Sequence, residues 1–116
     1  MRMEYAVREG VCVLRPVGRF VTGSDAELVS AKAYVQGAGV QKAVIDMSAL
    51  AYIDSTGLAF VVELHKAMQA GGGQLVLAGA NERVREVLRL TRIDDIVCLL
   101  EGADEAEAAL RGEVLC

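Results

Sequence analysis

A chain of 116 residues falls within the size of one domain, and a hydrophobic content of 53% excludes a disordered polypeptide. Two Phe, three Tyr and no Trp leave a core of Val, Leu, Ile and Ala, with too few rings for a single-strand nucleic-acid platform. Twelve Lys and Arg against sixteen Asp and Glu give a net charge of −4, the wrong sign for a general nucleic-acid binder.

In chain order, residues 4–8 and 11–17 are β-prone runs joined by a tight turn at Glu9-Gly10. Alternation puts Val11 and Val13 on one face and Cys12 and Leu14 on the other. Pro16 predicts an edge position or a strand end. Ser24, with Glu27 three residues on, predicts the N-cap of a helix running to about Gln36. Its inward stripe is Leu28, Ala31 and Val35, joined by Val29. Residues 42–46 read as a buried parallel strand, 47–54 as a connection, and 56–70 as a helix stopped by Gly71-Gly72-Gly73.

Residues 74–78 form another buried strand. Residues 82–91 form a helix with Val84, Val87, Leu88 and Thr91 inward and Arg85, Arg89 and Arg92 outward. A last strand spans 96–100 and a last helix 103–111. The order β-β-α-β-α-β-α-β-α predicts a single small α/β domain over residues 1–116. Its sheet is mixed and mostly parallel, with about four helices.

Cys12, Cys98 and Cys116 share no metal-ligand spacing, and an odd count without an apolar leader predicts a reducing, cytoplasmic setting. Cys12 and Cys98 lie in apolar runs and read as small core residues. No run reaches the roughly 18 apolar residues that crossing a bilayer requires, so no membrane insertion is expected. Residues 94–116 carry seven acidic side chains and one basic, which reads as a solvated face.

The stretch richest in chemistry is the quartet Asp54-Ser55-Thr56-Gly57, between an apolar strand with its connection and an apolar helix. A helix start has unpaired N–H groups and a dipole that favours anions, and Ser55 or Thr56 is placed to cap it. The plain reading is an N-cap cluster. The sharper one is an exposed hydroxyl open to phosphorylation, where about −1.5 to −2 charges would arrive beside the Asp54 carboxylate.

No catalytic or metal site is expected. Asp54, Ser55 and His65 lack a Gly-x-Ser-x-Gly frame, and ten helical residues put His65 about 15 Å from Ser55. The glycine clusters lack the Lys-Ser/Thr of a phosphate loop. In the helix after Gly57, Leu58, Val61, Val62, His65 and Met68 form one stripe, and Phe60, Leu64 and Ala67 another. Two stripes fit burial on two sides, or a docking surface centred on Leu58.

Five stretches carry a family resemblance: Val44-Ile-Asp-Met-Ser48, Ile53-Asp-Ser-Thr-Gly-Leu58, the run from Gly72 to Gly79, the run from Val84 to Thr91, and Ile93-Asp-Asp-Ile96. On them the chain resembles a STAS domain, specifically a SpoIIAA-like anti-sigma factor antagonist, over nearly its whole length. The resemblance implies a non-enzymatic partner switch without cofactors. The unphosphorylated form would bind an anti-sigma factor that is also a GHKL-type serine kinase, and so free the sigma factor. Phosphorylation at Ser55 would switch binding off, and a PP2C-type phosphatase would restore it. Asp54, Thr56 and Gly57 would form the surroundings of the phosphosite, and Leu58, Thr22 and Ser24 the partner contacts.

The chain departs from the family pattern at Val21, where an Asp is usual. A similar turn occurs in the MlaB-like STAS subunit of phospholipid-transport ABC systems, which is the alternative reading. Self-association is left open. A scaffold subunit of a stress-sensing assembly would usually need an N-terminal sensor domain, for which 116 residues leave no room.

Overall fold

The computed structural model describes residues 2–20, Gly23 and residues 25–112. The expectations placed on Val21, Thr22, Ser24 and Cys116 lie outside the described residues. The chain runs β1 (Arg2–Arg8), β2 (Val11–Phe20), α1 (Asp25–Gly37), β3 (Lys42–Asp46), β4 (Leu50–Ile53), α2 (Ser55–Ala70), β5 (Gln74–Ala78) and α3 (Glu82–Leu90). A 3-10 turn (Ile93–Asp95), β6 (Cys98–Leu100) and α4 (Ala103–Leu110) complete it.

The strands form one sheet in the order β1-β2-β3-β5-β6, with β4 also on β2. Among the described residues only β1 and β2 pair antiparallel. Their turn has positive φ at both Glu9 (50°) and Gly10 (78°), the twist that a two-residue hairpin needs. The α/β class, the mostly parallel sheet and the four helices are as the sequence predicts.

The order departs from expectation at one element. Residues 50–53, read as connection, form the parallel strand β4. Its partner is the far end of β2. Residues 11–14 of β2 pair with β3, and residues 18–20 pair with β4 after a register shift at Gly18, whose φ is +105°. Pro16 therefore sits inside a ten-residue strand and not at its end. It falls between the two parallel registers, where its missing N–H interrupts neither pairing.

The two faces of the sheet bury different sets, as the alternation in residues 11–14 predicts. Cys12, Leu14, Ile45 and Leu77 pack under α1, α2 and α3. Val11, Val13, Val44 and Val76 pack under α4 through Ala106 and Leu110. Val29 does not join the inward stripe of α1. It is 71% exposed, while Ala31 and Val35 are buried. On α3, Val84 and Leu88 are buried and Val87 half-buried, but Thr91 is exposed and its hydroxyl donates to the Val87 carbonyl at 2.8 Å.

The acidic C-terminal segment is not wholly a solvated face. Glu107 on α4 is buried, and both its oxygens accept from Arg8, whose Nε and Nη2 lie 3.3 Å away. This bidentate pair joins the last helix to the first strand, and removing Arg8 would leave the Glu107 carboxylate buried without its partner.

Cys12 is fully buried, and burial pushes its thiol up to about 11. It should resist alkylation at neutral pH in the folded protein and react once the chain unfolds. The unfolded thiol releases its proton near 9.0 and the folded one near 11. In that window the unfolded state binds fewer protons, so stability should fall as pH rises, by up to about 1.4 kcal/mol per unit. Denaturant melts of wild type and Cys12→Ala from neutral pH upward check this. Parallel curves for the two proteins would contradict it.

Candidate functional site: the turn into helix α2

The site stands where β4 ends and α2 begins. Ile53, the last residue of β4, is buried and fixes the strand end in the core. Asp54 follows in extended conformation (φ −112°, ψ −168°) as the N-cap of α2. Its Oδ1 accepts from the backbone N–H of Thr56 at 2.9 Å and of Gly57 at 3.4 Å. The first helical hydrogen bond runs from the Leu58 N–H to the Asp54 carbonyl at 3.0 Å.

Asp54, and neither Ser55 nor Thr56, is thus the cap. All three residue types can cap, and the extended backbone at position 54 makes the choice. This also changes the electrostatics expected of a phosphate. Two of the amide donors at the helix start are already held by a carboxylate. A phosphate on Ser55 would add its charge next to that carboxylate instead of being absorbed by those donors.

Ser55 is the first residue of α2 and is exposed. No described residue takes up its hydroxyl. Thr56 is half-buried and Gly57 buried. Capping by Asp54 therefore leaves the Ser55 side chain exposed at the first position of the helix.

The inward face of α2 is Gly57, Phe60, Val61, Leu64 and Met68. At 100° per residue, Leu58, Val62 and His65 lie on one flank of that face and Thr56, Ala59 and Glu63 on the other. Leu58 and Val62 are half-buried and rest against the core. The structure thus brings Asp54, Ser55, Thr56, Gly57 and Leu58 together at one turn. His65 is half-buried well along the helix, and among the described residues no cluster of His, Cys, Asp or Glu could hold a metal ion. No helix among the described residues is long and apolar enough to cross a membrane.

Two supports of the turn were not singled out in the sequence. Asn81 caps α3 by accepting from the Val84 N–H at 2.9 Å, and its Nδ2 donates to the Leu50 carbonyl at 3.1 Å, tying α3 to the start of β4. An Asn directly before a helical pattern is a cap signal, but the bond to Leu50 spans 31 residues and has no local trace. Arg19, opposite Tyr52 in the β2–β4 register, lies over its ring at 5.4 Å from the centroid. Removing the cap should be costly: Asp54→Ala should lose about 1–2 kcal/mol and melt several degrees lower. Asp54→Asn should retain most of the stability. Equal melting of all three proteins would contradict the capping role.

A family model described as the STAS domain matches residues 2–108. The chain belongs to the STAS domain family. A candidate anti-sigma factor antagonist of Thermotoga neapolitana is 34% identical over 74 residues, covering 64% of this chain and 66% of that protein. The chain spans just under two thirds of the length of the curated relatives it matches.

A crystal structure of a candidate anti-sigma factor antagonist from Thermotoga maritima aligns with a TM-score of 0.83 and 28% identity, covering 94% of each chain. Unphosphorylated SpoIIAA aligns with a TM-score of 0.70 at 20% identity, covering 98% of this chain and all of the other, which establishes a shared fold. In this STAS domain the Asp54–Gly57 turn stands at the start of α2, on the edge of the three-helix face.

Proposed function

We propose that this STAS domain is an anti-sigma factor antagonist that works as a partner switch. The unphosphorylated form binds an anti-sigma factor that is also a GHKL-type serine kinase, and the sigma factor is released. The kinase phosphorylates Ser55, and the added charge expels the partner. A PP2C-type phosphatase resets the protein. The chain contributes a binding surface and an acceptor hydroxyl; it catalyses nothing and needs no cofactor.

The observation that carries this reading is the state of Ser55. Its hydroxyl is exposed, is not used for capping, and stands directly after the Asp54 carboxylate at the first position of a well-anchored helix. A phosphate there leaves the cap bonds intact, so the fold survives, while any protein seated on the turn would have to desolvate two adjacent anions. The relatives named for anti-sigma factor antagonism support the same reading.

The test is affinity capture with wild type, Ser55→Ala and Ser55→Asp, followed by mass spectrometry. A GHKL-type kinase held by wild type and Ser55→Ala but not by Ser55→Asp is the expected result. Capture of a transporter membrane subunit, indifferent to the residue at 55, would overturn the proposal in favour of an MlaB-like role.

A further inference from the structure

The sheet ends on β1 at one side and on β6 at the other. β6 has three residues and β1 has seven, so β1 is the edge with the length to add a strand. Arg8 and Val11 flank the two-residue turn, which makes them a hydrogen-bonded pair, and bonded and non-bonded pairs alternate from there along the hairpin. Arg2, Glu4, Ala6 and Arg8 therefore turn their main-chain groups to β2, while Met3, Tyr5 and Val7 turn theirs outward. Pro16 agrees with this phase: it stands opposite Met3, where β1 asks for no N–H. Among the described residues nothing hydrogen-bonds to the main chain of Met3, Tyr5 or Val7 on the outer side.

The side chains of this edge are not those of a blunted one throughout. Val7 is 45% exposed, and among the described residues it is the only large exposed apolar side chain in a strand. It shares a face with Tyr5, whose ring packs on Tyr34 of α1 with centroids 4.6 Å apart. The other face carries Arg2, Glu4, Ala6 and Arg8. Charges on an edge normally stop strands from adding. Here their spacing blocks two registers and admits a third.

We propose that β1 pairs antiparallel with β1 of a second copy, about a two-fold axis at Ala6, to give one sheet running through both molecules. Hydrogen bonding requires the outward residues of one strand to meet outward residues of the other. The two-fold registers that overlap five or more residues of β1 are centred on Glu4, Tyr5 or Ala6. Centring on Glu4 sets that carboxylate against its own copy, and centring on Tyr5 sets Arg2 against the second copy's Arg8 at both ends. Centring on Ala6 sets Glu4 against the second copy's Arg8 twice, with unlike charges. Small Ala6 then occupies the axis, a non-bonded pair in which Cα atoms approach to about 4.5 Å. Val7 is covered by the second copy's Tyr5, an aromatic against a β-branched side chain. Arg8 holds Glu107 through Nε and Nη2, which leaves Nη1 for the second copy's Glu4. The contact is isologous and closed, so it stops at two copies. It uses no residue of the Ser55 turn and stands apart from the partner-switch reading.

The test is sedimentation velocity over a wide range of protein concentration, with amide hydrogen exchange of the wild type read at both ends of that range. Wild type should pass from monomer to dimer, and only the Tyr5 and Val7 amides of β1 should gain protection as it does; Met3 should not. Val7→Lys should weaken dimerisation at least tenfold, and Glu4→Arg, which puts like charges at both ends, should do so more strongly at low salt. Thermal melts check that both variants fold, and Ser55→Asp should dimerise as the wild type does. A wild type that stays monomeric at every concentration would overturn the proposal. So would a dimer in which Met3 is also protected, or one that survives Val7→Lys unchanged. Protection of Tyr5 and Val7 that appears only when a captured anti-sigma factor is added would assign the edge to a foreign strand and overturn it as well.

Discussion

Ile45→Asp is expected to abolish folding. Ile45 is the fourth of the five residues of β3, 1% exposed, with Leu14 and Leu77 beside it in the neighbouring strands. The substitution removes a buried side chain worth about 2–3 kcal/mol and places a carboxylate among hydrocarbon at a cost of several more. No donor is available there, because the surrounding face is the aliphatic cluster under α1, α2 and α3. Against a total stability of about 5–15 kcal/mol, that loss is enough to unfold a domain of this size. Circular dichroism and the spread of amide resonances should report a collapsed or unfolded chain. Ser55→Asp, at an exposed position, should melt within about 0.5 kcal/mol of wild type. A cooperative, native-like melt for Ile45→Asp would contradict the assignment of the core.

Leu58→Ala and Ser55→Asp should both weaken partner binding by a large factor, through different physics. Leu58 is half-buried at the start of α2, one turn or less from Ser55, and offers an apolar anchor beside the serine. Truncating such an anchor costs about 2 kcal/mol or more, roughly thirty-fold in affinity. The loss is one of packing and should be nearly independent of salt. Ser55→Asp puts a second carboxylate next to Asp54, whose own carboxylate is fixed on the helix amides. Its penalty is electrostatic and should shrink as the Debye length drops from about 10 Å at 0.1 M salt to about 3 Å at 1 M. Titration calorimetry at both ionic strengths separates the two effects. Salt-independent loss in Ser55→Asp, or unchanged affinity in Leu58→Ala, would contradict this division of roles.

The turn was legible in the sequence because its signals are local. An apolar strand, a polar quartet and an apolar helix follow one another within about twenty residues, and a helix start needs a cap whatever surrounds it. The identity of the cap was not legible: Asp54, Ser55 and Thr56 are all competent, and the backbone leaving β4 decides among them. β4 itself was hidden because four residues carry little alternation and its partner lies beyond a bulge at Gly18.

Glu107 was read as part of a solvated acidic run. Its burial depends on Arg8, 99 residues away, arriving over α4. Val29 was joined to the inward stripe, but at 100° per residue it stands about 100° round from Leu28, on the side away from Ala31 and Val35, and it is exposed. For Glu107 the missing information was a tertiary distance.

The most direct measurement is phosphopeptide mapping after the purified chain is incubated with ATP and the GHKL-type kinase that it captures. Binding of the modified and unmodified forms is then compared. The partner-switch account predicts phosphate on Ser55 alone, with Ser55→Ala unmodified and the phosphorylated form no longer retained by the kinase. Phosphate confined to Thr56, Ser48 or Ser24, or a phosphorylated Ser55 that still binds as tightly as the unmodified protein, would contradict it.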